Sequence, residues 1–159
     1  MATRSNIRVI LKEEDRNKDM KFNPEMVNIK DNAWRGYRLE TGLWEEVNAG
    51  GKDAFIIYHH WDGYPEGVGK TLLNEYNDYD KALNLVLGGD ASTINGGYEG
   101  YALREGENWE DIKPRAVDES YAYMEEYDYM FKDGKWFVKS AYGDKLNDWT
   151  ELETVLKNV

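Results

Sequence analysis

The residues best suited to acid–base or metal chemistry are His59, His60 and Asp62, which follow directly on an apolar stretch. An imidazole beside a carboxylate can transfer protons near neutral pH, so His60 with Asp62 is a candidate general acid–base pair. Adjacent residues of a strand face opposite ways, so both histidines enter one site only if the strand has ended. With two histidines and no cysteine in the chain, a zinc site would need carboxylates from elsewhere. We therefore expect no metal and no cofactor, and favour hydrogen bonding within the turn.

A glycine-rich segment, Gly67 to Thr71, follows the histidines and invites comparison with a nucleotide-binding P-loop. That loop needs Gly, four residues and then Gly-Lys-Ser/Thr, which places its first glycine where this chain has Tyr64. The segment is therefore not a P-loop. A weaker anion site stays open, because backbone amides around Gly67 and Gly69, with Lys70 at a helix start, can hold a phosphate or a carboxylate.

These features predict a ligand site in the turn between residues 59 and 70. In this hypothesis Arg4 and Lys70 meet a phosphate, and Trp61 or Tyr64 stacks on a base. A purely structural interpretation stays open, in which Asp62 accepts from backbone amides and Trp61 is buried beneath the turn as a plug. The predicted ligand-binding residues are Arg4, His60, Trp61, Asp62, Tyr64 and Lys70.

Tyrosines recur with a period of two between residues 121 and 131, which predicts one face of a strand. Asp133-Gly134 follows as the turn that a tight hairpin prefers, because both central residues need positive φ. A tyrosine face packs in cores but also anchors protein interfaces, and acidic residues interrupt and oppose this one. Both interpretations stay open. The predicted partner-binding residues are Tyr123, Glu125, Glu126, Tyr127 and Asp128.

The pattern of apolar residues predicts an α+β fold: an antiparallel sheet with two central helices and a C-terminal helix packed on it. Strands are expected at 5–12, 54–60 and 98–103 and in the hairpin, with loops at 90–97 and 105–120. Helices are expected at 68–76, at 81–87 between an Asp80 cap and Gly88-Gly89, and after a capping box over 148–151. Residues 1–159 are expected to form a single domain, with 13–52 as an insertion or irregular excursion.

Charge and composition limit the classes of partner. The formal net charge of −11 disfavours duplex nucleic acid and anionic membranes and favours a basic protein partner, although solubility alone also accounts for it. We see no apolar stretch long enough for a membrane span or a signal peptide. With no cysteine, we expect a cytoplasmic setting. Self-association stays open.

Two stretches together resemble a group of small uncharacterised phage and prophage proteins. One is the N-terminal Met-X-Thr-Arg-Ser strand, here with Thr3, Arg4 and Ser5, and the other is the His-Trp-Asp-Gly-Tyr-Pro turn that starts at His60. This chain differs in having His59 where a cysteine often stands, and in its 13–52 segment. The resemblance implies that the protein comes from a virus or mobile element and acts in the host bacterial cytoplasm. It favours an anti-defence role by analogy.

We therefore expect a non-enzymatic accessory protein that binds and inhibits a host defence system, such as a CRISPR effector, through an acidic aromatic surface. Two alternatives stay open. One is a sponge that sequesters a linear or cyclic nucleotide signal, held by Arg4 and Lys70. The other is a phosphodiesterase-like enzyme that uses His60 with Asp62, although no nucleophile is marked beside them.

Overall fold

The computed structural model describes residues 2–29, 47–101, 106–122, 125–140 and 148–157. The strands are β1 (Ser5–Ile10), β2 (Asp19–Met20), β3 (Val47–Asn48), β4 (Ala54–His59), β5 (Ala91–Thr93), β6 (Glu99–Gly100), β7 (Arg115–Val117), β8 (Tyr127–Lys132), β9 (Lys135–Ser140) and β10 (Thr150–Glu151). The helices are α1 (Lys70–Glu75), α2 (Tyr79–Leu87), α3 (Trp109–Ile112) and α4 (Leu152–Lys157), with 3-10 turns at Glu13–Asp15 and Pro24–Met26 and a π-helical turn at Pro65–Gly69.

The predicted α+β class is confirmed, with helices packed on a large sheet. Eight strands form this sheet in the order β10-β9-β8-β1-β4-β5-β6, with β7 also paired to β4. Most neighbours are antiparallel, but β1 runs parallel to β8 and β4 runs parallel to β5. The strand β1 therefore lies in the middle of the sheet, between β8 and β4.

One face of the sheet carries the apolar core. Alternate side chains of the central strands point to this face and are fully buried, among them Ile7, Val9, Ile57 and Phe131. The helices close this side, as each turns its apolar stripe towards the sheet. The core members that the helices contribute are Leu72 from α1, Ala82, Leu85, Val86 and Leu87 from α2, Trp109 and Ile112 from α3, and Leu152 from α4.

The opposite face of the sheet is organised around Arg8, which is only 1% exposed. Its guanidinium donates to the carbonyls of Glu119 and Tyr121, at 3.1 and 2.7 Å, and pairs with the Asp128 carboxylate at 3.3 Å. The Trp149 ring lies 5.5 Å away. Residues 118–122 thus cover this face, and their carbonyls satisfy a charge that burial would otherwise strongly disfavour.

The predicted hairpin is confirmed. Its strands β8 and β9 are paired from Tyr127↔Ser140 to Lys132↔Lys135. Asp133 has a φ of 52° and Gly134 a φ of 82°, the two positive angles that a type I′ turn requires. The tyrosine pattern begins later than expected, however, because the strand starts at Tyr127 rather than at residue 121.

Two helices begin at other residues than predicted. The cap of α2 is Asp78 rather than Asp80, since the Asp78 carboxylate accepts from the Lys81 amide at 2.8 Å. The expected capping box over 148–151 does not start a helix. Thr150 and Glu151 pair with β9 as the edge strand β10, and α4 begins only at Leu152. Edge pairing satisfies these backbone groups in place of a cap.

Two predicted loops contain regular structure. The stretch 90–97 holds β5, whose pairing with β4 is parallel and long in range. The stretch 105–120 holds α3, which has its own capping box from Asn108 and Asp111, and β7, which pairs with the start of β4. Tertiary pairing sets β5 and β7, because each is only three residues long and carries little periodicity of its own.

Where the 13–52 segment is described, it holds two 3-10 turns and the paired strands β2 and β3, and it contributes to the core. Met20, Phe22 and Val27 are buried in the same cluster as β1 and α2. Residues 30–46 lie outside the described residues. Among the helices that the structure describes, none is both long enough and apolar enough to cross a lipid bilayer.

Candidate functional site

The turn after β4 is fixed by backbone hydrogen bonds at each step. The His60 and Trp61 amides donate to the carbonyls of Ala91 and Ser92, at 3.1 and 3.0 Å, and so continue the β4–β5 pairing past the strand end. The chain then reverses at Asp62, whose φ of 55° lies in the left-handed region. The Asp62 carbonyl accepts from the Val68 amide at 2.9 Å. These bonds hold the turn residues in fixed positions.

Two glycines are required because the backbone approaches other atoms closely. A Cβ on Gly63 would lie 2.7 Å from the Thr3 carbonyl oxygen, and one on Gly67 would collide with the Asp62 carbonyl. The amide of Gly67 donates to the Tyr64 carbonyl at 2.9 Å. The amide of Lys70 is also occupied, by carbonyls of the π-helical turn. Neither amide is available to an anion, so the predicted backbone anion site gains no support.

An aromatic cluster surrounds His60. The Tyr58 hydroxyl lies 2.7 Å from His60 Nδ1. The Trp61 and Tyr101 rings lie 4.7 and 5.7 Å from the imidazole, both edge to face. Tyr58 and His60 point the same way because they are two residues apart at the end of a strand. The imidazole is thereby positioned among rings.

The electrostatics of this cluster argue against a nucleophile. Burial raises the pKa of Tyr58 to about 12, with Arg4 acting in the opposite direction and Glu125 adding to the rise. The phenol is therefore protonated at neutral pH. Full burial, with a smaller contribution from His60, lowers the pKa of His59 to about 3, and its Nε2 accepts from the Ile94 amide at 3.1 Å. His59 is a neutral structural residue on the core side.

The carboxylate of Asp62 does not take the role that the sequence suggested. The backbone carbonyl of this residue, rather than its side chain, accepts from a turn amide, and Asp62 is exposed. The side chain of Trp61 is also placed differently from the expected plug. Trp61 is 47% exposed, because its backbone pairs with β5 and the ring lies over His60 rather than under the turn. The plug prediction is therefore wrong.

The start of β1 lies between the turn and residues 125–127. On one side, the Thr3 carbonyl accepts from the Gly63 amide at 2.9 Å, and on the other, the Arg4 carbonyl accepts from the Tyr127 amide at 3.3 Å. The Tyr129 hydroxyl closes the arrangement by donating to the Gly63 carbonyl at 2.6 Å. Arg4 from the predicted ligand-binding set and Tyr127 from the predicted partner-binding set therefore meet at this end of the sheet.

Charge at this end is predominantly negative. Burial raises the pKa of Glu125, Arg4 opposes the shift, and the neighbouring Glu126 and Asp128 add to it. Glu66 is exposed on the turn and acts electrostatically on Tyr129. We define the turn surface as the side chains of Arg4, Trp61, Asp62, Tyr64, Glu66, Glu125 and Glu126.

Other predicted site residues lie elsewhere or are engaged in packing. Lys70 is exposed at the start of α1. Asp128 is turned towards Arg8, and its side chain is 14% exposed. Tyr127 is half-buried, while Tyr129 and Phe131 are core residues. Tyr123 lies outside the described residues.

Sequence reasoning missed three members of this region: Tyr58, Tyr101 and Glu66. The sequence could have indicated that Tyr58 lies beside His60, since a residue two places before His60 is on the same face of the strand. It could not have indicated Tyr101, because Tyr101 follows β6, which is connected to β4 only by way of β5. Groups of three or more acidic or histidine side chains with metal-ligand geometry are not found among the residues that the structure describes. Compared with known proteins, the chain matches no family model, no curated protein and no solved structure.

Proposed function

We propose that this chain is a non-enzymatic binding protein whose turn surface engages a basic surface of another protein. From the resemblance to phage and prophage proteins, we further propose that it acts in a host bacterial cytoplasm and inhibits a defence system such as a CRISPR effector. The observation that carries the binding role is the exposure of two large aromatic residues, Trp61 and Tyr64, on a turn whose backbone is fixed.

Exposed aromatic residues on a rigid support are the usual anchors of protein interfaces. Trp61 is 47% and Tyr64 38% exposed, although large aromatic side chains are normally mostly buried. Because the turn is already held by backbone hydrogen bonds, little conformational entropy is lost when a partner packs against it. Aromatic residues of this kind contribute a large share of the binding energy in measured interfaces.

The charge around these anchors favours a basic partner. Asp62 and Glu66 lie on the same turn as these anchors, and Glu125 and Glu126 lie at the same end of the sheet, where the guanidinium of Arg4 acts on Glu125. The chain as a whole carries −11, so its long-range field attracts a basic surface and speeds the encounter. The aromatic residues would then supply the short-range contacts.

The test measures binding of purified bacterial defence proteins, CRISPR effector nucleases first, to the wild-type chain and to Trp61→Ser. Loss of an interface anchor is expected to weaken the complex by about 2 kcal/mol or more. The matched control is Tyr121→Ser, since Tyr121 is similarly exposed, at 41%, but lies beside Arg8. We expect this control to bind like the wild type.

A second measurement examines the charge. Affinity is expected to fall steeply as ionic strength rises, and the double variant Glu125→Gln/Glu126→Gln should bind more weakly with a shallower salt dependence. Glu153→Gln, an exposed carboxylate on α4, is the control. A complex that neither Trp61→Ser nor added salt weakens would contradict the proposal.

The alternative functions have less support. For the phosphodiesterase, the imidazole of His60 is engaged by Tyr58, and Asp62 contributes its carbonyl rather than its carboxylate to the turn. Full biological activity of His60→Ala would remove this alternative. For the nucleotide sponge, the amides of Gly67 and Lys70 already donate to carbonyls of the turn, and thermal-shift screening against linear and cyclic nucleotides tests it.

A further inference from the structure

A recess lies at the opposite end of β1 from the turn surface. It is a cleft of about 550 Å³ between the segment Ile10–Arg16, Tyr79 at the start of α2, and the tip of the β8–β9 hairpin. This volume lies within the range of small-molecule sites, about 300–1,000 Å³. The proposed protein-binding role makes no use of this cleft.

The cleft is lined by groups that are already held in place. Leu11 and Phe131 are buried and provide an apolar floor. The Tyr79 hydroxyl donates to the Asp15 carboxylate at 2.7 Å and accepts from the Lys12 amide at 3.0 Å, so its ring is fixed. The Lys12 ammonium lies 4.6 Å from the centre of that ring. A ligand would therefore meet a largely preorganised wall.

Two cations of this cleft lack a carboxylate partner. Lys132 is paired with Glu119 at 2.5 Å, and Asp15 is paired with Lys18 at 2.8 Å. Among the described residues, no carboxylate lies within ion-pair distance of Lys12 or Arg16. Arg16 is half-buried, so its charge is partly desolvated without a carboxylate beside it.

Three carboxylates line the cleft and limit the charge of the ligand. Glu119 is paired with Lys132, whereas Glu13 and Asp133 are exposed to solvent. They would repel a polyphosphate or a nucleic acid strand more strongly than a single phosphate group. Arg and Lys together match one phosphate monoester, because the guanidinium binds it through paired N–H groups and the ammonium adds a point charge.

We propose that this cleft binds a small organic phosphate, namely one phosphate monoester on a body the size of a nucleoside. Arg16 and Lys12 hold the phosphate. The body lies on the apolar floor beside Tyr79. This site is separate from the turn surface and from the Arg4–Lys70 site that the sequence suggested.

The experiment is a calorimetric and NMR titration of the wild-type chain with AMP. Saturable binding is expected, with shifted amide signals confined to residues 10–16, 79 and 131–134. Arg16→Gln and Lys12→Gln should each weaken AMP by about tenfold or more, because each loses a charge-assisted hydrogen bond. Lys70→Gln makes the same change of charge on α1 and should leave the affinity unchanged.

Further variants and ligands test whether the phosphate is recognised and whether a loss of binding reflects misfolding. Glu13→Gln removes a repelling charge and should bind AMP more tightly, which no misfolded protein would do. Ribose 5-phosphate tests the phosphate without the base, and adenosine tests the base without the phosphate. Binding of ribose 5-phosphate as well as AMP supports recognition through the monoester, and binding of AMP alone shows that the base contributes.

Three results would overturn the proposal. The first is the absence of binding by AMP, ribose 5-phosphate and inorganic phosphate at millimolar concentration. The second is adenosine binding as well as AMP, which would mean that the phosphate is not recognised. The third is AMP binding that persists in Arg16→Gln and Lys12→Gln but is lost in Lys70→Gln, which would place the ligand at the turn between residues 59 and 70.

Discussion

The central strand β1 is buried on both faces, but one face makes apolar contacts and the other makes polar contacts. Towards the helices, Ile7 and Val9 lie fully buried in an apolar core. Towards the other side, the fully buried Arg8 donates to two carbonyls and pairs with the Asp128 carboxylate. The first face depends on shape and volume. The second depends on a set of polar contacts, each of which becomes unfavourable if its partner is lost.

The largest effect is expected on the apolar face, at Trp136. This residue is 1% exposed, packs edge to face on Phe131 at 5.2 Å and donates from Nε1 to the Tyr76 carbonyl at 3.0 Å. Trp136→Ala should lower the free energy of unfolding by about 3–5 kcal/mol, as measured by urea denaturation. Trp61→Ala, at the exposed turn, should change it by less than about 1 kcal/mol. Equal losses in both variants would mean that the turn ring is packed after all.

A somewhat smaller effect is expected at the polar face. Arg8→Met leaves the Asp128 carboxylate buried without its cation, which should lower the free energy of unfolding by about 3 kcal/mol. The double variant Arg8→Met/Asp128→Leu removes both charges and should recover part of that loss. Denaturation of the two variants at several pH values checks this. A double variant no more stable than Arg8→Met would show that the loss comes from the carbonyl contacts, which both variants lack, rather than from the unpaired carboxylate.

A buried acid without a close cation should give a pH-dependent effect. Burial raises the pKa of Asp90 to about 6, with the Tyr58 amide and Arg115 acting in the opposite direction. The folded protein then holds this proton more tightly than the unfolded chain does. The associated stability is fully present below about pH 4 and is lost as the pH rises through 6.

Asp90→Asn removes this titration while retaining an oxygen that can accept from the Tyr58 amide. The stability of Asp90→Asn relative to the wild type should therefore increase from pH 4 to pH 7, by at most about 3 kcal/mol. Urea denaturation across this range measures it. Glu153→Gln, an exposed site, should show a flat difference. A difference that shrinks with rising pH would contradict the assignment.

The smallest effect on stability is expected at Asp62. Its contribution depends on the backbone angle φ and not on packing against either face of β1. Its φ of 55° is disfavoured for residues with a Cβ. Asp62→Gly should be neutral or slightly stabilising, and Asp62→Ala should be less stable than Asp62→Gly by up to about 1 kcal/mol. Thermal denaturation resolves the order of the two variants. The opposite order would indicate that the turn does not hold this angle.

Much of the fold was predictable because its signals are local. The apolar stretch before His59, the Asp133-Gly134 turn and the apolar stripe of α2 each specify their element within a few residues. The capping box formed by Asn108 and Asp111 is an equally local signal, but the helix that it starts was not predicted. By contrast, β5 and β7 are three-residue strands whose existence depends on pairing with β4. Their sequences carry too little periodicity to identify them.

The candidate site was only partly predictable. Arg4, His60, Trp61 and Glu125 were singled out and do converge at one end of the sheet, but the link between them is the start of β1, which no local pattern reveals. Arg8 was missed, because a charged residue between Ile7 and Val9 is typical of a strand whose second face is solvated. The cleft beside Arg16 joins segments that are distant in the sequence, so it becomes visible only in three dimensions.

The parallel pairing of β1 with β8 also determines the order in which the molecule can be assembled during synthesis. Ser5 to Val9 leave the ribosome early, but their partners, Tyr127 to Phe131, are translated much later. Until then one edge of β1 presents unpaired amides and carbonyls, the kind of edge that recruits other chains. Native pairing must wait for this distant contact, which slows folding. The nascent chain therefore passes through a period in which chaperones, dilution and its own high negative charge protect it from aggregation.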